Sequence, residues 1–258
     1  MNAQKNSICD LPKQTSPWEL YDRLIDAIPS DLVIKQCIVG IHWIAVKSTG
    51  IGLSMTPPEG PRSLSIAGSI AGKTVREIAS LAKSWKPLEA ALGVAAMNSY
   101  YNAPSTLESA WGDISDRQSN ISVFAEMIPM VRGKKVAVIG HFPDLGDLEP
   151  ICTLSVLERK PQSGDLPDPA CEYILPLQDL VFITGVTLIN KTLIRLLELS
   201  RKSQTVLVGP SVPLTPLFME YGLSLLAGTT VIDDQKICTH VEEGGDRSIF
   251  GNGAMMIR

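Results

Sequence analysis

The chain has 258 residues, of which 45% are hydrophobic and 19% charged, and its formal net charge is -4. This composition predicts a packed globular core and excludes a disordered chain. It lacks the excess of Lys and Arg that is typical of nucleic-acid-binding proteins, and no run approaches the roughly 18 apolar residues that span a bilayer. We therefore expect no nucleic-acid partner and no membrane partner.

The chain start has no apolar segment of the secretory type, which favours a cytoplasmic location. The five cysteines are scattered singly without a CxxC pair, so neither a disulfide framework nor a protein metal site is predicted. The length favours two domains.

The first half of the chain, residues 1–132, predicts a small α+β domain. A helix is expected from Ser16 as N-cap with Pro17 at its first position, and residues 31–61 predict two or three antiparallel strands. Helices are expected after Thr74, after Pro87, and over residues 121–131.

The second half, residues 133–258, predicts a parallel sheet covered by helices, because its strand candidates are apolar on both faces. A single helix is expected over residues 187–203, where apolar residues form one stripe. The alternation of strands and helices predicts a Rossmann-like domain. The strand candidates are 135–140, 153–158, 179–185, 205–209 and 223–232.

Ligands of open parallel sheets bind outside the carboxyl ends of the strands, so the residues just after each strand are the candidate site. Most of them are small or can form hydrogen bonds. The candidates are Gly140, His141, Glu158, Gly185, Thr187, Asn190, Gly209, Pro210 and Ser211.

Two of these candidates have competing interpretations. Glu158 follows Gly140 at a distance close to the roughly 20 residues at which an acidic residue meets a ribose hydroxyl, although the GxGxxG fingerprint is absent. Alternatively, Glu158 pairs with Arg159 or Lys160 at the strand end. Ser211 either donates to a ligand or caps the helix that follows in a turn stiffened by prolines.

The segment "ITGVTLINKT" and His141 suggest chemistry. His141 is the single histidine among the candidate residues that follow the strands, which together form the rim of the sheet. Thr187 is expected to cap a helix with Asn190 at its third position, while the free helix N-terminus after Gly185 would suit an anionic ligand. His141 is the candidate catalytic residue, since an imidazole at the rim can transfer protons near neutral pH.

The blocks "VAVIGHFP", "VFITGVTLINKT" and "VLVGPSVPLTPLF" together resemble the family labelled "putative heavy-metal chelation". The resemblance implies a domain like the N-terminal domain of enolases followed by a Rossmann-like domain with partial likeness to methyltransferases. It also implies a cleft between them and a role with a pterin-like or metal-chelating molecule. Asn98, at the end of the Ala-rich helix, joins the candidate ligand-binding residues.

Together these observations predict a small-molecule-binding protein, an enzyme of transfer, condensation or hydrolysis. A non-catalytic carrier of a metal chelate is the alternative, and a methyltransferase-like enzyme that uses S-adenosylmethionine is a third hypothesis, weakened by the absent glycine fingerprint. The expected partner is a small molecule or metal chelate, with a homo-oligomer left open. The sequence names no cofactor.

Overall fold

The computed structural model describes residues 16–113, 118–119, 123–142, 145–246 and 248–257. It shows an α+β protein with a three-stranded antiparallel sheet and a larger sheet that contains six parallel strands. None of the described helices is long and apolar enough to cross a membrane.

The first half contains helix α1 and an antiparallel sheet of β1, β2 and β3 in that order, followed by three helices. The predicted strand meander is confirmed with three strands. Helix α1 begins two residues later than expected, because Ser16 Oγ accepts the Trp18 N–H and leaves Trp18 as the N-cap. The elements are α1 (Glu19–Asp26), β1 (Gln36–Val39), β2 (Trp43–Lys47), β3 (Ile51–Met55), α2 (Val75–Ala79), α3 (Pro87–Tyr101) and α4 (Pro104–Trp111).

Helix α3 lies directly on β3. A Cβ added to Gly52 would lie 2.0 Å from Ser99 N and 2.3 Å from Ala95 O, so the strand and the helix touch backbone to backbone. Small residues allow this approach, and Ser48 Oγ and Ser99 Oγ share a 2.6 Å hydrogen bond nearby. Helix α3 is therefore buried on nearly every side and fixes the position of its C-terminal asparagines.

A short strand and two one-turn helices connect the halves: β4 (Gln118–Ser119), α5 (Val123–Glu126) and α6 (Ile128–Val131). The predicted single helix over 121–131 is interrupted at Met127, and residues 121 and 122 lie outside the described residues. Pro129 has no backbone N–H and is tolerated only in a first helical turn, which explains why a new helix starts there.

The second half is built on a sheet of order β4-β11-β10-β9-β8-β5-β6-β7. The five predicted strands are present, and the two-residue β7 and the antiparallel β11 were not predicted. Its elements are β5 (Lys135–Ile139), β6 (Thr153–Glu158), β7 (Leu166–Pro167), α7 (Cys171–Ile174), β8 (Leu180–Thr184), α8 (Val186–Ile189), α9 (Leu193–Leu199), β9 (Gln204–Val208), β10 (Leu225–Val231), α10 (Asp234–Glu242) and β11 (Ala254–Ile257).

The two halves share one hydrophobic core, in which Leu92 and Ala96 of α3 belong to the same buried cluster as Val181 and Leu207 of the parallel sheet. A second cluster packs α5 and α6 against the opposite face of that sheet. The enolase-like and Rossmann-like labels and the division at residue 133 stay predictions.

The single helix predicted over residues 187–203 is wrong. It is divided into α8 and α9 at Lys191, whose φ of 66° is the only positive value among the described residues other than glycine. Asn190 Oδ1 accepts both the backbone N–H and the hydroxyl of Thr192, at 3.1 and 2.7 Å, and this local side-chain bond competes with the helical pattern.

Candidate functional site

Each of three neighbouring parallel strands, β5, β8 and β9, is followed directly by a glycine, and two of these glycines need their backbone freedom. Gly140 and Gly209 have φ values of 99° and 112°, in the left-handed region that favours glycine. A Cβ on Gly209 would meet no atom within 4 Å. The main chain at Gly209 is therefore open on the side where a side chain would lie.

Gly185 is needed for a close approach. Its φ is −59°, but a Cβ there would lie 2.8 Å from Ser211 C and 2.9 Å from Val212 N. The turn after β8 thus packs directly against the proline-rich turn after β9, which comprises residues 209–216. On the other side, a Cβ on Gly140 would lie 3.1 Å from Thr184 Cγ2. The predicted residues after β5, β8 and β9 consequently form one continuous rim.

The first half of the chain holds the proline-rich turn from the opposite side. Asn98 Nδ2 donates to Pro210 O over 3.2 Å and to Leu53 O over 2.8 Å, and Met55 N donates to Ser211 Oγ over 3.0 Å. Asn98 is fully buried, and its Oδ1 has no partner among the described residues. The structure thus gives Asn98 and Ser211 a bridging role, while their contact with a ligand stays a prediction.

Glu158, at the end of β6, binds main chain. Its Oε2 accepts His141 N over 3.0 Å, and its Oε1 accepts Arg159 N over 2.7 Å and Lys160 N over 3.4 Å. Glu158 therefore pairs with Arg159 and Lys160 at the strand end, as the alternative interpretation has it, but through their backbone N–H groups and not through their basic side chains. The carboxylate fixes the main chain of His141 at the rim.

The ring of His141 is held by a residue that the sequence analysis missed. Its Nδ1 lies 3.3 Å from Asp165 Oδ2, and the Asp165 side chain is only 4% exposed while that of His141 is 39% exposed. Asp165 Oδ2 also accepts Gln162 N over 2.9 Å, which orients the carboxylate. An aspartate in a loop rich in Gly and Pro carries no sequence signal beyond its turn propensity.

A loop of the first half reaches the same end of the sheet. Glu59 Oε1, in the loop after β3, lies 2.6 Å from Lys160 Nζ, just beyond Glu158. The hydrogen bond from Lys160 lowers the pKa of the Glu59 carboxyl, which outweighs the opposing effect of partial burial. This exposed ion pair connects the two halves beside His141.

Thr187 and Asn190 do not form the predicted capping pair. Gly185 is the N-cap of α8, Thr187 Oγ1 donates to Thr184 O over 2.6 Å, and Asn190 lies at the C-terminal cap. Helix α8 has four residues, so its N-terminus offers little dipole to an anion. The Oδ1 of Asn190 is engaged with Thr192, which leaves its amide nitrogen as the donor of that side chain.

A groove of about 330 Å³ lies elsewhere, between the β1–β2 turn, the loop around Arg62 and the end of α10. None of the predicted site residues lines it. Within the described part of the chain, no group of three His, Cys, Asp or Glu side chains is arranged to hold a metal ion.

Comparison with known proteins decides the family. A profile described as "Putative heavy-metal chelation" (DUF364) matches residues 123–257, more than half of the chain, and a second with the same description (DUF4213) matches residues 21–101. The chain belongs to the DUF364 family. The resemblance seen in the sequence blocks is thereby confirmed.

Members of the DUF364 family include proteins of solved structure. A crystal structure of a family protein with unknown function from Desulfitobacterium hafniense is 38% identical, with a TM-score of 0.85, and the match covers 93% of this chain and 98% of that one. A family protein with unknown function from Pyrococcus horikoshii, at 22% identity and TM-score 0.72 over the same shares, has the same fold. An uncharacterised protein of Methanocaldococcus jannaschii is 30% identical over 81% of this chain and 82% of its own.

Proposed function

We propose that this protein binds and chemically transforms a small organic metabolite in the cleft between its two halves, and that this metabolite is a pterin-like or other metal-chelating compound. The observation that carries the proposal is the exposed imidazole of His141, held on a rim where glycines follow three neighbouring strands. Metal enters as part of the ligand, in line with the description of the family.

The glycine rim favours a flat ligand close to the main chain. With no side chain on Gly140 or Gly209, a ring system can approach backbone groups at the carboxyl ends of adjacent strands. The strands β9, β8 and β5 are direct neighbours, so the rim extends over roughly 10 Å at the usual strand spacing. That length suits a fused bicyclic ring.

His141 supplies the reactive group in this proposal. An imidazole can take a proton from a hydroxyl or a water molecule and return it to a leaving group, which is the proton transfer that condensation and hydrolysis both require. Glu59, in a loop of the first half, reaches the same strand end through its ion pair with Lys160. In this proposal both halves therefore contribute to the cleft.

The test is a binding and turnover panel with defined probes. Purified full-length protein is incubated with pterin-6-carboxylate, riboflavin, 2,3-dihydroxybenzoate or S-adenosylmethionine, each with and without ferric iron, and followed by native mass spectrometry. We expect one pterin-like or catechol probe to bind and to leave with a changed mass. His141→Ala should retain binding and lose the mass change, whereas His240→Ala on α10 should retain both.

A probe that binds and is released unchanged by the wild-type protein would support the alternative, a carrier of a metal chelate. Binding of S-adenosylmethionine alone would support the methyltransferase-like hypothesis. Full turnover by His141→Ala would remove the imidazole from the reaction, and binding of no probe at all would contradict the proposed class of ligand.

A further inference from the structure

Two carboxylates hold His141, one by its main chain and one by its ring. Glu158 accepts the backbone N–H of His141 over 3.0 Å, and Asp165 Oδ2 lies 3.3 Å from its ring nitrogen Nδ1. The first carboxylate belongs to the end of β6 and the second to the loop before β7. The imidazole therefore has few orientations left, although more than a third of its side chain is exposed.

The chemistry of the Asp165 contact determines where the proton of the ring lies. An ionised carboxylate can only accept hydrogen bonds, so a bond with Asp165 requires the proton on Nδ1. Which imidazole nitrogen carries the proton is set by the hydrogen bond that the other nitrogen makes or lacks. The two atoms lie 3.3 Å apart, within ion-pair distance, and catalytic hydrogen bonds are often long or poorly aligned in proteins without their substrate.

We propose that Asp165 is a positioning residue that keeps the proton of His141 on Nδ1 and leaves Nε2 as the nitrogen that exchanges protons with the substrate. This inference rests on the proposed function of the cleft. In the reaction, the Nε2 lone pair takes the proton of a substrate hydroxyl or of water, the ring becomes imidazolium, and Nε2 later returns that proton to the leaving group. The negative charge of Asp165 offsets the positive charge of the ring meanwhile.

The surrounding charges are consistent with this role. The Asp165 carboxylate is nearly inaccessible, and the one hydrogen bond that the described residues donate to it comes from the Gln162 N–H. Lys160 is engaged with Glu59, and Glu158 is engaged with main-chain donors. Among the carboxylates that the structure describes, Asp165 is therefore the one that meets the ring.

The test reads the tautomer directly by long-range ¹H–¹⁵N spectroscopy of the ¹⁵N-labelled full chain, at a pH where the rings are neutral. The chain has three histidines, and His141→Gln assigns the signal of interest. We expect the Nδ1–H form at His141 in the wild-type protein, although neutral histidine in water prefers Nε2–H. Asp165→Ala should return the ring to Nε2–H.

Asp168→Ala is the matched control, since Asp168 lies in the same segment and the described residues show no hydrogen bond or ion pair between it and His141. This variant should leave the tautomer unchanged. The Nε2–H form in the wild-type protein would overturn the inference, and so would an Nδ1–H form that persists in a folded Asp165→Ala variant. Because Asp165→Ala also removes the acceptor of Gln162 N and could unfold the loop, the wild-type spectrum alone remains decisive.

The outcome does not depend on a ligand. If the Nδ1–H form is found and no probe of the panel binds, the inference about Asp165 stands and the proposed function fails. If a probe is turned over while His141 carries its proton on Nε2, the proposed function stands and the inference about Asp165 fails.

Discussion

The side-chain oxygen of Asn102, on the last turn of α3, accepts the backbone N–H of Leu214 over 2.8 Å. The amide nitrogen of Asn102 donates to Val212 O over 2.9 Å and to Thr229 O over 3.1 Å. One buried residue of the first half thus satisfies three backbone groups of the second. Asn98, one helical turn earlier, bonds Pro210 in the same turn. The two halves consequently form one unit around the proline-rich turn.

Asn102→Ala should lower the free energy of unfolding by about 3 kcal/mol or more, because it leaves three buried backbone groups without partners. Urea unfolding measures the change. Asn252→Ala, which removes a single hydrogen bond at the surface, should change it by less than about 1 kcal/mol. A loss below 1 kcal/mol in Asn102→Ala would contradict the bridging role.

Gly185→Ala should destabilise the protein by about 1–3 kcal/mol, because the new Cβ would overlap backbone atoms of Ser211 and Val212 that cannot move alone. Faster hydrogen exchange over residues 209–214 should accompany the loss. Gly146→Ala is the control, since a Cβ there meets no atom within 4 Å. Equal stabilities of the two variants would show that the turns after β8 and β9 pack less closely than described.

The partly buried amine of Lys191 should make the free energy of unfolding of the wild-type protein rise with pH, relative to that of a variant without this amine. Burial lowers the pKa of Lys191 to about 8, although its Nζ donates to Ser84 O and Ile189 O. Between about pH 8 and the pKa of an unfolded lysine, about 10.4, the unfolded chain binds more protons, so the free energy of unfolding increases with pH.

The measurement compares wild type with Lys191→Met by urea unfolding at several pH values from 7.5 to 10. The difference in unfolding free energy should move in favour of the wild type as the pH rises through this window. Lys202→Met, at an exposed lysine, controls for the general loss of a charge. If the difference in unfolding free energy did not change with pH, burial would not lower the pKa of Lys191.

Glu59→Gln should loosen the loop after β3, which is tied to Lys160, with little effect on stability. The pair with Lys160 is exposed, and such pairs contribute between 0 and about 1 kcal/mol. Hydrogen exchange over residues 56–62 should become faster, while Glu172→Gln, which breaks the exposed pair with Arg195, should leave this loop unchanged. Unchanged exchange in Glu59→Gln would show that the ion pair does not restrain the loop.

Much of the fold could be predicted from the sequence because its signals are local. Strands β5, β6, β8, β9 and β10 are apolar on both faces, as parallel strands between helices must be, and Thr74 caps α2 by accepting Glu77 N. The signals failed where a local side-chain bond or a proline overrides an apolar stripe. The break at Lys191 and the restart of the helix at Ile128, beside Pro129, are two such cases.

The sequence by itself determined the antiparallel strands of the first half, the five main strands of the second, the family, and the glycines and the histidine that follow the strands, since these depend on periodicity and on residues next to each other. Only the tertiary structure decided which side chains complete the site. Asp165 meets His141, Glu59 meets Lys160, and Asn102 meets Leu214 across long stretches of chain. Such contacts leave no periodic pattern, because the geometry of the packed sheet and helices, and not the spacing along the chain, brings the partners together.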